Sequence, residues 1–289
     1  MQYDSISHFL RTGQEHLAKG PVALIFAEDD VEINTTLRHH LDLGFSKVVL
    51  FSPAAFNIAP ELAEKCPRVT LESPRGEPMF DAVNAINDAA IGVWLYYCFN
   101  SEYLLYPFCE SRTVGEMLTF HTEERRDAML TYVIDLYATD LETNPNAVSL
   151  DSALMDRTGY YALARNDPDN HNHPKERQLN FYGGLRWRFE EHIPADKRKI
   201  DRISIFRAKE GLKLRPDFTF SDEEYNTYAS PWHNNLTAAV CSFRTAKALK
   251  FNPGSTFQIQ QFKWHNSVGF DWHSRQLLDL GLMEPGQWF

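Results

Sequence analysis

The strongest constraint in this sequence is a set of short apolar runs in roughly the first hundred residues, each cut off by polar residues and parted by a helical pattern. Val22–Phe26 (VALIF) ends at Glu28, Asp29 and Asp30, as a strand buried on both faces does at the edge of its sheet. Ile33, Leu37 and Leu41 then recur at four-residue spacing, with Gly44 placed to close a helix. The unit repeats. Residues 47–51 read as a second strand, 60–66 as a short helix and 68–71 as a third strand. Met79, Val83, Ile86 and Ala90 mark the buried face of the next helix, and 93–98 form a fourth apolar run. Strands alternating with helices predict an α/β fold with crossover connections and a mostly parallel central sheet. Ligands bind such sheets at the carboxyl ends of the strands, here residues 27–30, 52–55, 73–76 and 99–102.

The second half is longer in period and more aromatic. Residues 131–137 and 200–206 read as strands and 166–175 (NDPDNHNHPK) as a polar loop, while Leu236, Val240, Phe243 and Leu249 give 236–249 a helical period. No linker rich in Gly, Pro or Ser interrupts the chain and no repeat recurs. One domain over 1–289 is expected, a regular half at 1–110 and an elaborated half at 111–289.

Charge narrows the partners. Lys and Arg number 29 against 39 Asp and Glu, a formal net charge of -10, which argues against broad capture of nucleic acid or an anionic membrane and favours small-molecule ligands. Cys66, Cys98, Cys109 and Cys241 lack metal-finger spacing and read as free thiols. The N-terminal residues lack the apolar core of a signal peptide, and no apolar stretch approaches the roughly 18 to 20 residues of a membrane span, so a cytoplasmic protein without a transmembrane segment is expected. The GxGxxG, GxxxxGK[ST] and GxSxG signatures are missing, which weakens dinucleotide, P-loop and hydrolase readings.

Residues 27–54 (AEDDVEINTTLRHHLDLGFSKVVLFSPA) resemble the opening of family 2-like glycosyltransferases of the nucleotide-diphosphosugar-transferase (GT-A) superfamily. His39-His40-Leu41-Asp42-Leu43-Gly44 and the strand after it match that layout, and Trp94-Leu95 with Glu102-Tyr103-Leu104 fall where the family's fourth strand meets its Asp-x-Asp-Glu-Phe-Leu motif. Trp232-His233 resembles the family's late His-containing segment. The resemblance implies a GT-A-like fold, with 1–110 as the nucleotide-binding half and 111–289 on the acceptor side. It departs at the chemistry. Phe99-Asn100-Ser101 stands for the metal-binding Asp-x-Asp, leaving Glu102 as the only carboxylate there, and Ser52 falls at the nucleotide-binding Asp. A divalent cation offsets charge on a diphosphate leaving group, and Phe-Asn-Ser cannot hold one.

Candidate residues follow. Glu28 and Asp29 are the acidic strand end that would line a nucleotide pocket; alternatively they cap the helix that follows. Arg186 and Arg188 alternate with apolar neighbours in GGLRWRFEEH, so on a strand they share a face that could clasp a diphosphate without metal, or simply pair with Glu190. Glu190 and Glu191 are the candidate catalytic bases for an acceptor hydroxyl, with His192 beside them. His233 is a ligand-binding or structural candidate, and His171 with His173 a weak metal-binding spacing in a loop. Trp264, Phe270, Trp272, Trp288 and Phe289 could stack a sugar or pack the C-terminal segment. The expectation is a glycosyltransferase-like protein moving a sugar from a nucleotide-sugar donor to a sugar or glycan acceptor. The alternative is a non-catalytic pseudoglycosyltransferase acting in binding or assembly. No cofactor is assigned, save Mn or Mg if a site is rebuilt from Asp29, Glu102 and His233.

Overall fold

The computed structural model describes residues 1–228 and 235–288. In chain order its strands and helices are β1 (Gln2–Tyr3), α1 (Ile6–Thr12), β2 (Val22–Phe26), α2 (Ile33–Asp42), β3 (Lys47–Ser52), α3 (Pro60–Lys65), β4 (Arg68–Thr70), α4 (Glu77–Ala89) and β5 (Trp94–Phe99). There follow β6 (Glu102–Leu105), α5 (Val114–Glu123), β7 (Ala128–Ala138), β8 (Ala153–Asp156), β9 (Tyr161–Asp167), β10 (His173–Tyr182) and α6 (Gly184–Arg188). The chain closes with β11 (Asp201–Arg207), β12 (Ala238–Ser242), α7 (Arg244–Phe251), β13 (Ser267–Gly269) and α8 (Ser274–Asp279).

Among the described residues one mixed sheet holds eleven strands, in the order β1-β4-β3-β2-β5-β11-β7-β12-β6, with β8 beside β7 and β13 beside β8. The expected strands of the first half are all present, and β4, β3, β2 and β5 run parallel. The second half departs from that rule. β11 lies antiparallel between β5 and β7, β12 is parallel to β7, and β6 returns antiparallel on β12.

Period-2 alternation sorts β2 between two cores. Val22, Leu24 and Phe26 join the core under α1 and α4, with Phe9, Met79, Val83 and Ile86. Ala23 and Ile25 face the other way onto α2, α3 and α5, through Ile33, Leu37, Leu62, Val114 and Met117. All five β2 residues are buried, so helices cover both faces. Local chemistry sets the helix ends. Gly44 follows α2 at φ +86, the conformation expected of a closing glycine. Thr113 and Glu116 form a capping box on α5, each side chain accepting from the other's backbone N–H.

Three expected elements differ. Residues 236–249 are not one helix: the small apolar run becomes β12, and α7 begins at Arg244. A short apolar run carries no period that separates a buried strand from a helix. Residues 183–192 are not a strand either; Gly184 at φ +62 turns the chain into α6 and then a 3₁₀ turn at Glu190–His192. The expected loop at 166–175 is the tip of the β9–β10 hairpin; the few alternating apolar residues, Tyr161 with Leu163 and Leu179 with Phe181, lie at its base, and the tip itself is polar. No described helix is long and apolar enough to cross a membrane.

Candidate functional site

The chain runs outward from β2 to β3 and β4, then returns to place β5 on the other side of β2. The carboxyl ends of β2 and β5 therefore flank a switch point, where open α/β sheets form their ligand crevices. Asn100, the residue after β5, stitches it. Its Oδ1 accepts the Glu28 N–H at 2.8 Å, and its Nδ2 donates to Asp29 Oδ1 at 2.6 Å and to the Val31 carbonyl at 2.8 Å. Ser101 then turns at φ +60 into β6, donating its N–H to Thr36 Oγ1.

The carboxyl end of β12 reaches the same edge and delivers two cations from the first turn of α7. Arg244 donates Nε and Nη2 to the two oxygens of Glu28, at 2.6 and 2.8 Å, and its guanidinium lies 3.8 Å from the centre of the Phe99 ring. Lys247 places its ammonium on both Asp29 oxygens. Arg75 donates to the Glu28 carbonyl at 3.0 Å and keeps its side chain 63% exposed, more open to water than Arg244 at 32%.

Deeper in the sheet lie two more pairs. Glu102, fully buried, accepts from Arg202 Nη2 at 2.7 Å, Ser242 Oγ at 3.0 Å and the Phe99 N–H at 2.9 Å. Burial pushes the Glu102 carboxyl up, but Arg202 and Arg244 outweigh it and hold the group below its ordinary range. Asp135, at the end of β7, accepts the Arg186 N–H and lies 3.6 Å from the Arg186 guanidinium. Here burial wins, and the carboxyl is raised despite Arg186; its Oδ1 has no hydrogen-bond partner among the described residues. Burial likewise lowers the Lys247 ammonium, with Asp29 opposing it. Four carboxylates are thus matched by four cations in one network.

The structure brings Glu28, Asp29, Ser52 and Glu102 to this edge with Arg186, and sends the remaining candidates elsewhere. Ser52 ends β3 fully buried, its hydroxyl without a hydrogen-bond partner among the described residues. Arg186 and Arg188 do not share an open face. Arg186 donates to Thr245 Oγ1 and the Lys199 carbonyl, whereas Arg188 donates to both Asp156 oxygens and the Phe262 carbonyl and lies over the Trp264 ring. Glu190 and Glu191 sit exposed, beside Arg198 and His192 respectively. His233 lies outside the described residues, as does Phe289. Trp288 packs on Phe108 and Phe120, and Trp264 donates to Asp156, so these rings serve packing.

A rebuilt divalent-cation site does not fit this donor set. Asp29 already holds an ammonium, Glu102 holds a guanidinium, and Asn100 turns its amide N–H toward Asp29. Among the described residues no three His, Cys, Asp or Glu side chains gather to hold a metal, His171 and His173 included. Sequence reasoning missed Arg202, Arg244, Lys247 and Asp135. Arg244 and Lys247 had a signal: spaced i, i+3 directly after a buried run, they share one helix face at a strand exit.

No protein-family model matches the chain, and no curated protein matches its sequence.

Proposed function

We propose that this chain is a glycosyltransferase-like protein that takes a nucleotide-sugar donor at the β2–β5 switch point and does so without a divalent cation. The observation that carries the reading is the placement of Arg244 and Lys247 against Glu28 and Asp29, the acidic strand end that the resemblance assigns to the nucleotide pocket, beside Asn100, which stands where the family's metal-binding Asp-x-Asp would fall. A diphosphate needs positive charge and rigid donors. Arg75 offers an exposed guanidinium, and Arg244, a third exposed, offers a planar fork that can pass from Glu28 to a phosphate oxygen. The base and ribose would take the Glu28–Asp30 backbone.

A second reading, a non-catalytic sugar-nucleotide-binding protein, draws on one specific observation. Glu190 and Glu191 occupy an exposed turn with partners of their own, which leaves the acceptor hydroxyl without the base assigned to it. Calorimetry against uridine and guanosine diphosphates and their sugars, in chelator and again in manganese, tests the main reading. Binding that is equal in both conditions and weakened in Arg244→Ala supports it; no binding across the panel overturns it. Donor hydrolysis or transfer assays then separate enzyme from pseudoenzyme.

A further inference from the structure

At the far end of α7 from the charge network, the loop that follows β7 and the residues after the helix enclose an open groove of about 750 Å³, a volume within the ordinary range of small-ligand sites. We propose that this groove binds a neutral oligosaccharide. Its lining sets amides and hydroxyls among the apolar Leu141, Pro145, Val148 and Phe251. Among the described residues Lys250 is the one charged residue of the lining, and its ammonium donates to the Thr256 and Ile259 carbonyls at 2.9 and 3.1 Å. A phosphate or carboxylate ligand would meet a single ammonium with two of its three N–H groups already spent on carbonyls, a weak anion site.

What the lining does offer is an aromatic face flanked by amides and hydroxyls. Phe251, the last residue of α7, lines the groove and is 63% exposed, and Phe257 on the adjoining segment is 82% exposed. Exposed rings of this size are costly to leave in water, and they match the flat C–H face of a pyranose. Asn144 spends its Nδ2 on the Asp140 carbonyl, and Asn146 spends its Oδ1 on the Val148 N–H. Each amide therefore keeps its other end, one an acceptor and one a donor, for hydroxyl groups. Thr143 and Thr256 stand beside them. A wholly apolar ligand would leave those amide groups unsatisfied, whereas a sugar's hydroxyls pair them.

The loop is built in advance. The Asp140 carboxylate accepts the Glu142 N–H and holds the Thr143 hydroxyl, the Asn144 N–H donates to the Asp140 carbonyl, and the Ala147 N–H donates to the Asn144 carbonyl. Ala147 in turn accepts from the Ala138 N–H, tying the loop to the end of β7. A loop ordered before binding loses little entropy on binding. Seven residue steps of helix part Arg244 from Phe251, about 10 Å at 1.5 Å each, so the groove is separate from the β2–β5 switch point and does not rest on the function proposed for it.

The test uses the whole chain and saturation-transfer NMR with hexasaccharides of glucose, mannose, xylose and N-acetylglucosamine, and an oligogalacturonate as the acidic control. Binding of at least one neutral member is expected, unchanged by nucleotide diphosphate. Phe251→Ala weakens it by about tenfold, the cost of losing a stacked ring, and Phe251→Trp retains it. Failure of every neutral member to bind, preference for the acidic control, or binding that Phe251→Ala leaves unchanged overturns the proposal. Saccharide binding without nucleotide binding would sink the crevice reading and leave the groove standing.

Discussion

Lys247 Nζ lies 2.9 Å from one oxygen of Asp29 and 2.8 Å from the other, so a single ammonium, with its own side chain 4% exposed, bridges a carboxylate at the exit of β2. Lys247→Met leaves Asp29 to Asn100 and water. Because Asp29 is about a third exposed, solvent replaces part of the loss, and the expected cost is about 1 to 2 kcal/mol in a urea denaturation series.

Glu102 and Arg202 form the deepest pair, with the carboxylate fully buried and the guanidinium enclosed by the Tyr97, Phe99 and Phe218 rings. Glu102→Gln strands a buried cation and should cost about 3 to 5 kcal/mol. The double variant Glu102→Leu with Arg202→Met removes both charges and is expected to be more stable than either single change. A double-mutant cycle by chemical denaturation reads that coupling.

Arg188 and Arg244 part company in function. Arg188 is fixed by Asp156, the Phe262 carbonyl and Trp264, so Arg188→Ala should lower stability by about 2 to 4 kcal/mol and leave nucleotide affinity where it was. Arg244→Ala should lower nucleotide affinity, by about 1 to 3 kcal/mol for a charge-assisted contact. Thermal melts beside calorimetry on the same samples give both numbers.

Gly184 combines φ +62 with a position where an added Cβ would stand 2.9 Å from Asp135 Oδ2. Gly184→Ala should therefore cost about 1 to 3 kcal/mol, from left-handed backbone strain and the displaced carboxylate together. Gly211, also at positive φ but open to solvent, serves as the control: its Ala variant meets no neighbour and should lose the backbone share alone.

Two buried histidines set an acid limit. Burial lowers His40 to about 3 and His121 to about 4, while each donates a ring N–H to a backbone carbonyl, of Thr36 and Ala128 respectively. Unfolded, both take up protons near 6.5, so the unfolded chain binds more protons below that pH. Their stabilising contribution is complete above about 6.5 and is lost as pH falls toward 4, by up to about 1.4 kcal/mol per pH unit for each histidine. Urea midpoints between pH 7 and 5 check this, and His121→Gln should flatten the slope.

The first half was legible because buried parallel strands announce themselves: β2 and β5 are apolar throughout and β3 is apolar from Val48 to Phe51, with acids or turns at their exits, and Gly44 closes α2 where its spacing placed it. Glu28 and Asp29 were legible as a strand end for the same reason. Their partners were not, because Arg244 and Lys247 lie more than two hundred residues away and meet them only through the β12 register on β7 and β6. Arg186 and Arg188 misled because alternation with apolar residues also arises over a short helical turn, where both side chains can find buried acids. The β9–β10 hairpin stayed hidden because its alternating apolar residues, Tyr161 with Leu163 and Leu179 with Phe181, are few and are parted by a long polar tip.

The antiparallel insertion of β11 beside β5 bears on how this molecule is made. During synthesis β5 emerges roughly a hundred residues before the segment that covers its open flank. Until Asp201–Arg207 leaves the ribosome, nascent β2 to β5 present a bare apolar border to other polypeptides. Fragments ending between residues 110 and 200 should therefore aggregate or recruit chaperones.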